Sequence, residues 1–128
     1  MIRLARKTDL PDLIAFSRRQ ALETRVDLPW EQDICDLQIR HLLISSKGTW
    51  LVNEVDDKIT GVIGGPIMPW PFNHSVQAAQ EYIALGDNLE SLRKRFDSWA
   101  ESQGASAVIK LCVDSTKGPR VRMLKRSS

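Results

Sequence analysis

Long hydrophobic runs are missing from this sequence. No apolar stretch approaches the roughly 20 residues that cross a bilayer, so a membrane-spanning helix is excluded. Cysteine is equally scarce. Cys35 and Cys112 stand without a CxxC pattern or a neighbouring histidine pair, which reads as two buried reduced thiols and excludes a disulfide framework or a zinc site. Tyr82 is the only tyrosine, and His41 and His74 are the only histidines, so few side chains are available for proton transfer near neutral pH. The opening MIRLARKTDLPDL has neither an apolar core of roughly 7 to 15 residues nor a small-residue cleavage site, so no signal peptide is expected and the cytoplasm is the default location.

What remains is an ordinary globular composition. The 128 residues are 42% hydrophobic and 27% charged, enough for a single domain, 1–128, that buries roughly two-thirds of its extended surface. Charge is nearly balanced overall but not along the chain. Residues 1–92 hold 9 Lys/Arg against 13 Asp/Glu, and residues 93–128 hold 9 against 3, so a −4 portion precedes a +6 portion. The basic end, with 115–128 as its tail, is suited to an anion or an acidic partner.

Periodicity predicts the order β-α-α-β-β-β-α-β with a short last helix, an α/β (α+β) domain built on a mixed sheet of about five strands. IRLARK (2–7) reads as a strand. Asp9 is suited to cap the following helix, with Pro11 in its first turn and Leu10, Leu13, Ile14, Ser17 and Ala21 at helical spacing. A second helix follows Pro29, its apolar stripe being Trp30, Ile34, Leu37, His41 and Ile44. TWLVNEV (49–55) and ITGVIGG (59–65) flank the turn Asp56-Asp57-Lys58 and are expected to pair antiparallel. Pro66, Pro69 and Pro71 predict a loop through IMPWPFNH. The fourth strand, 76–85, leads through Gly86-Asp87-Asn88 to a helix buried by Leu89, Leu92, Phe96 and Trp99 or Ala100. Asp87 and Glu90 have capping-box spacing there, and Gly104 is suited to end the helix. ASAVIKLCVD (105–114) is the fifth strand, a parallel neighbour of the fourth, and GPRVRMLKR is the short last helix.

This order, with MIRLARKTDLPDL and WLVNEVDDKITGVIGG, resembles the GCN5-related N-acetyltransferase (GNAT) superfamily, in particular small members of bacteriophage and prophage genomes. The likeness is carried by Ala79-Gln80-Glu81, by Phe96-x-x-Trp99-Ala100-x-x-x-Gly104-Ala105 and by Gly118-Pro119-Arg120, and it spans residues 1–124. It implies transfer of an acetyl group from acetyl-CoA to an amine, with the cofactor between splayed fourth and fifth strands. The pyrophosphate would rest on a turn of the form R/Q-x-x-G-x-G/A. That turn is shortened here, leaving Gly86, Asn88, Arg93 and Lys94 to meet the cofactor, while the Asp87 carboxylate competes for the same backbone donors and repels phosphate. Relatives also continue into two further strands that this sequence does not suggest, so an open sheet edge is expected.

Alternation places Glu81 on one face with Ala79, Ile83 and Leu85, where desolvation would favour a general base, and the resemblance implies the same role. Tyr82 falls on the opposite face. No tyrosine lies in the last segment to serve as general acid. His41 reads as a boundary residue, His74 as a loop residue and Cys112 as core packing. Trp70, in the proline-rich segment, and Arg120, Arg122, Lys125 and Arg126, in the basic tail, are candidate contacts for a partner. Without stacking aromatics the tail gives nucleic acid only weak support. Two functions follow. The favoured one is a non-catalytic, phage-type protein that uses the GNAT fold to bind another protein or its own copies, in the virion or the host cytoplasm. The alternative is an active N-acetyltransferase using acetyl-CoA on a protein or small-molecule amine.

Overall fold

The computed structural model describes residues 1–23, 29–110 and 120–124, with the backbone alone at residue 120. Seven strands form one mixed sheet in the order β1-β2-β3-β4-β6-β7, with β5 paired to β3 off that path. Helices α1 (Leu10–Glu23) and α2 (Gln32–Ile44) pack on one face, and α3 (Leu89–Ser102) packs on the other. The expected α/β class is borne out, as is the element order as far as the strand that begins at Ala105, with more strands than the five expected.

The chain enters through β1 (Ile2–Leu4), antiparallel to β2 (Gly48–Val55), and a 3-10 turn at Lys7–Asp9. Asp9 caps this turn rather than α1. Its carboxylate accepts the Arg6 backbone N–H at 2.7 Å and both Nη groups of Arg3 at 2.7 and 3.1 Å, while Arg3 Nε reaches Glu54 of β2 at 2.9 Å. The Arg3 bond holds the Asp9 carboxyl below the usual carboxylate range against the opposing effect of burial, and the Arg6 N–H adds to it.

The stripe expected on α2 is turned outward. Ile34, Leu37 and Ile44 are exposed, and the inner face is Cys35, Ile39, Leu42 and Leu43. Two apolar stripes share this helix with the same period, and periodicity alone does not choose between them. Trp50 of β2 does, by packing under the helix and donating its indole N–H to the Ile39 carbonyl at 3.2 Å.

β3 (Lys58–Trp70) follows a two-residue turn in which Asp56 and Asp57 take φ of 51° and 63°, as the hairpin requires. It then runs through the prolines expected to break it. Ile67 donates its N–H to Lys47 on the β2 side, and Pro69, two residues on, faces that same side past the start of β2, where no donor is needed. Pro66 faces the other way, between the stretches of β3 that pair with β4 (Asn73–Glu81) and β5 (Ile83–Gly86).

The buried face of α3 is Leu92, Phe96 and Ala100, with Leu89 and Trp99 at its margin, as expected, and the helix ends before Gly104 at φ 86°. β6 (Ala105–Lys110) runs parallel to β4. The segment expected to be a last helix is strand β7 (Arg120–Met123), antiparallel to β6. Its alternation of charged and apolar residues has period two, which a strand uses and a helix does not. It supplies one further strand beyond those expected. Cys112 lies outside the described residues.

Since the folded pKa of Asp9 is depressed, its contribution is complete above the unfolded value of about 3.9 and is lost as pH falls through the folded value. Asp9→Asn is expected to cost about 2 kcal/mol at neutral pH. Urea unfolding at pH 7 and pH 3 checks this, the gap between wild type and variant narrowing at the lower pH.

Candidate functional site

The fourth expected strand is two strands separated by a β-bulge. β3 pairs Ile67 with Ala79 but Gly64 with Ile83, so the later stretch is shifted by one residue, and the Tyr82 N–H donates to the Gly64 carbonyl at 2.9 Å. Gly65 makes room for this, since a Cβ there would lie 1.8 Å from the Gln80 carbonyl oxygen.

The bulge reverses the alternation beyond it. Ala79 belongs to the core beneath α3, while Tyr82 and Ile83 both pack with the core beneath α1 and α2. Ile83 therefore does not share the Glu81 face, contrary to simple alternation, whereas Tyr82 lies opposite Glu81 as expected. The described part of the parallel β4–β6 ladder runs to Glu81 and Lys110, and β5 pairs only with β3 among the described residues.

Glu81 is 2% exposed on the α3 side. Its carboxylate pairs with the Arg122 guanidinium from β7 and lies 3.8 Å from Arg93 Nε of α3, and Arg122 bonds onward to Asp97 at 2.6 Å. Burial opposes the charge of Arg122, but the bonds to Asp97 and Glu81 outweigh it and raise the guanidinium above its ordinary value. Three residues expected in three roles, as base, cofactor contact and partner contact, thus meet in one ion-pair cluster. Their charges are spent on one another, and the carboxylate faces away from the α1–α2 side of the bulge.

At the β5–α3 turn, Gly86 has φ 103°, with its Cα close enough to β3 that a Cβ would sit 2.3 Å from the Thr60 carbonyl oxygen. The capping box expected from Asp87 and Glu90 does not form. Asn88, in the left-handed region at φ 61°, is the N-cap residue and makes no side-chain cap bond; its amide donates to Asn53 Oδ1 at 3.2 Å, and the Asp87 N–H donates to Thr60. Lys94 is exposed near Glu90. Trp70 packs edge-on against Phe72, with ring centroids 5.7 Å apart, beside an apolar hollow of about 320 Å³ that Val121 and Met123 help to line. Lys125 and Arg126 lie outside the described residues. No cluster of three or more acidic, histidine or cysteine ligands for a metal occurs among the described residues.

On the α1–α2 side, a cavity of about 490 Å³ is lined by Ser17, Trp30, Cys35, Trp50, Tyr82 and Ile83 among others. Burial pushes up both the Cys35 thiol and the Tyr82 phenol, so each keeps its proton at neutral pH. Beside it sits a residue the sequence reading passed over. Gln20, 4% exposed, donates its Nε2–H to the Tyr82 carbonyl at 2.7 Å and accepts the Ala84 N–H on Oε1 at 2.7 Å. A glutamine seven residues after Leu13 on the inner stripe of α1 was the available signal, because a buried carboxamide requires partners.

Neither the family models nor the curated proteins contain a match. Solved structures do match. A predicted acetyltransferase with acetyl-CoA from Clostridium acetobutylicum superposes with TM-score 0.77 at 10% identity, covering 91% of this chain and 83% of that one. A GNAT-family acetyltransferase from Streptococcus pneumoniae gives 0.61 at 18% identity over 86% and 72%. The fold is that of the GNAT acetyltransferases. A transcriptional regulator from Bacillus halodurans also superposes, with TM-score 0.61 at 16% identity over 91% of this chain and 83% of that one.

The residues present do not suit acetyl-CoA in the manner the resemblance implies. Asp87 precedes the N-cap residue and Glu90 stands in the first turn of α3, the Asp87 N–H is already bonded, and Gln20 holds the Tyr82 carbonyl and the Ala84 N–H of β5.

Removing one member of a buried ion cluster strands the others. Arg122→Met is expected to destabilise by about 3 kcal/mol, with Glu81→Gln in the same chain recovering part of the loss. A double-mutant cycle by chemical denaturation measures both.

Proposed function

We propose that this protein uses the GNAT fold to bind and does not transfer acetyl groups, acting as a phage-type virion component or as a binder of a host protein. One observation carries the reading. The only acidic residue with the expected strand position for a general base, Glu81, is buried among Arg93 and Arg122 on the face turned away from the open cavity. The phage association rests on sequence resemblance at residues 79–81, 96–105 and 118–120. A partner would meet the β7 side of the sheet, where Phe72, Val121 and Met123 are exposed beside Trp70.

A second reading is favoured by the cavity itself. It lies against the bulge residues Tyr82 and Ile83, where an amine would approach a thioester held at the outer edge of β5, and it fits an acetyltransferase acting on a protein or small-molecule amine.

Titration calorimetry separates the two. No heat of binding is expected at millimolar acetyl-CoA. Micromolar binding that Lys94→Glu weakens would overturn the binding-only reading.

A further inference from the structure

The two groups that Gln20 holds are not an arbitrary pair. In a parallel ladder, a residue opposite Ile83 would donate its N–H to the carbonyl of residue 82 and accept the N–H of residue 84. The Gln20 carboxamide makes both of these bonds, each at 2.7 Å. It stands on the outer edge of β5, just past Glu81, which pairs with Lys110 in the described ladder of β4 and β6. One side chain from α1 thus makes the pair of bonds that one residue of a parallel neighbour would make.

Any extended chain that carries amides and seeks the outer edge of β5 needs the same donor and the same acceptor. The pantetheine arm of acetyl-CoA is such a chain. We infer that Gln20 is the residue that bars this arm, by holding the Tyr82 carbonyl and the Ala84 N–H from within. This rests on the reading above that the chain does not take acetyl-CoA, and it names a cause for it. An entering ligand would have to expel a carboxamide that is 4% exposed and leave it to find new partners in the core. Loss of the side chain removes the competitor and leaves the edge available.

The test compares wild type, Gln20→Ala and Gln20→Asn, the last being too short by one methylene to span both groups. Acetyl-CoA binding is measured by calorimetry, the Ala84 amide by hydrogen exchange, and folding by thermal melting. In Gln20→Ala the Ala84 amide is expected to exchange at least about tenfold faster than in wild type. It should regain protection on addition of acetyl-CoA, which the variant binds at least about tenfold more tightly. If Gln20→Ala does not fold, Gln20→Asn carries the same comparison. A folded variant with an unprotected Ala84 amide and no binding overturns the role of Gln20 and leaves the binding-only reading standing. Equal binding by wild type and variant overturns both. Binding by wild type that the variant strengthens tenfold supports the role of Gln20 and overturns the binding-only reading.

Discussion

The Gly64 carbonyl accepts the Tyr82 N–H across a ladder that has shifted by one residue, and most of what distinguishes this protein depends on that bulge. A strand has a side-chain period of two, so one extra residue sends every later side chain to the other face. Glu81 stays with α3, while Tyr82 and Ile83 turn toward α1 and α2. Among the described residues, β5 has β3 as its one strand neighbour, and its outer edge meets Gln20 of α1. The lining of the cavity by Tyr82 and Ile83 and the burial of Glu81 on the other face both follow from this one irregularity. Gly65 permits it by lacking the Cβ that would strike the Gln80 carbonyl.

Polar groups exposed by such an irregularity must be satisfied if they are buried. On the α3 side, a lone buried carboxylate would be costly, and the solution is a four-charge cluster of Glu81, Arg93, Arg122 and Asp97. This cluster draws β7 onto the sheet, because Arg122 comes from that strand and Leu124 follows it into the core. On the other side, backbone groups of Tyr82 and Ala84 are satisfied by Gln20. Charge answers charge on one face, and an amide answers an amide at the edge.

Much of this architecture was legible before any coordinates. The hairpin at Asp56-Asp57, the inner stripe of α3 and the stop at Gly104 each carry a local signal whose chemistry leaves little choice. What escaped depends on partners distant in sequence. Two apolar stripes compete on α2, and only Trp50 decides between them. The run of prolines reads as a loop because the direction of each missing N–H is not visible until β2 and β4 are placed. Arg120–Met123 is too short for periodicity to overrule an expectation of helix. In the site, Glu81, Arg93 and Arg122 were each picked out, yet their meeting is set by tertiary contacts across three elements. Gln20 was missed altogether, since its partners are 62 and 64 residues away.

The closed state of the site bears on how a fold and an activity part company. A bulge that redirects one strand is a feature of topology, whatever the protein does, and is not by itself evidence of chemistry. Chemistry would require groups left open there: a carboxylate free to take a proton, backbone amides free to hold a ligand, a helix N-terminus free of acids. Here, the carboxylate is paired, two edge groups are bonded to Gln20, and Asp87 and Glu90 flank the helix start. The first two are internal bonds of groups that chemistry at this site would need free. Such bonds stabilise the empty fold, and by the same energy they oppose ligand entry.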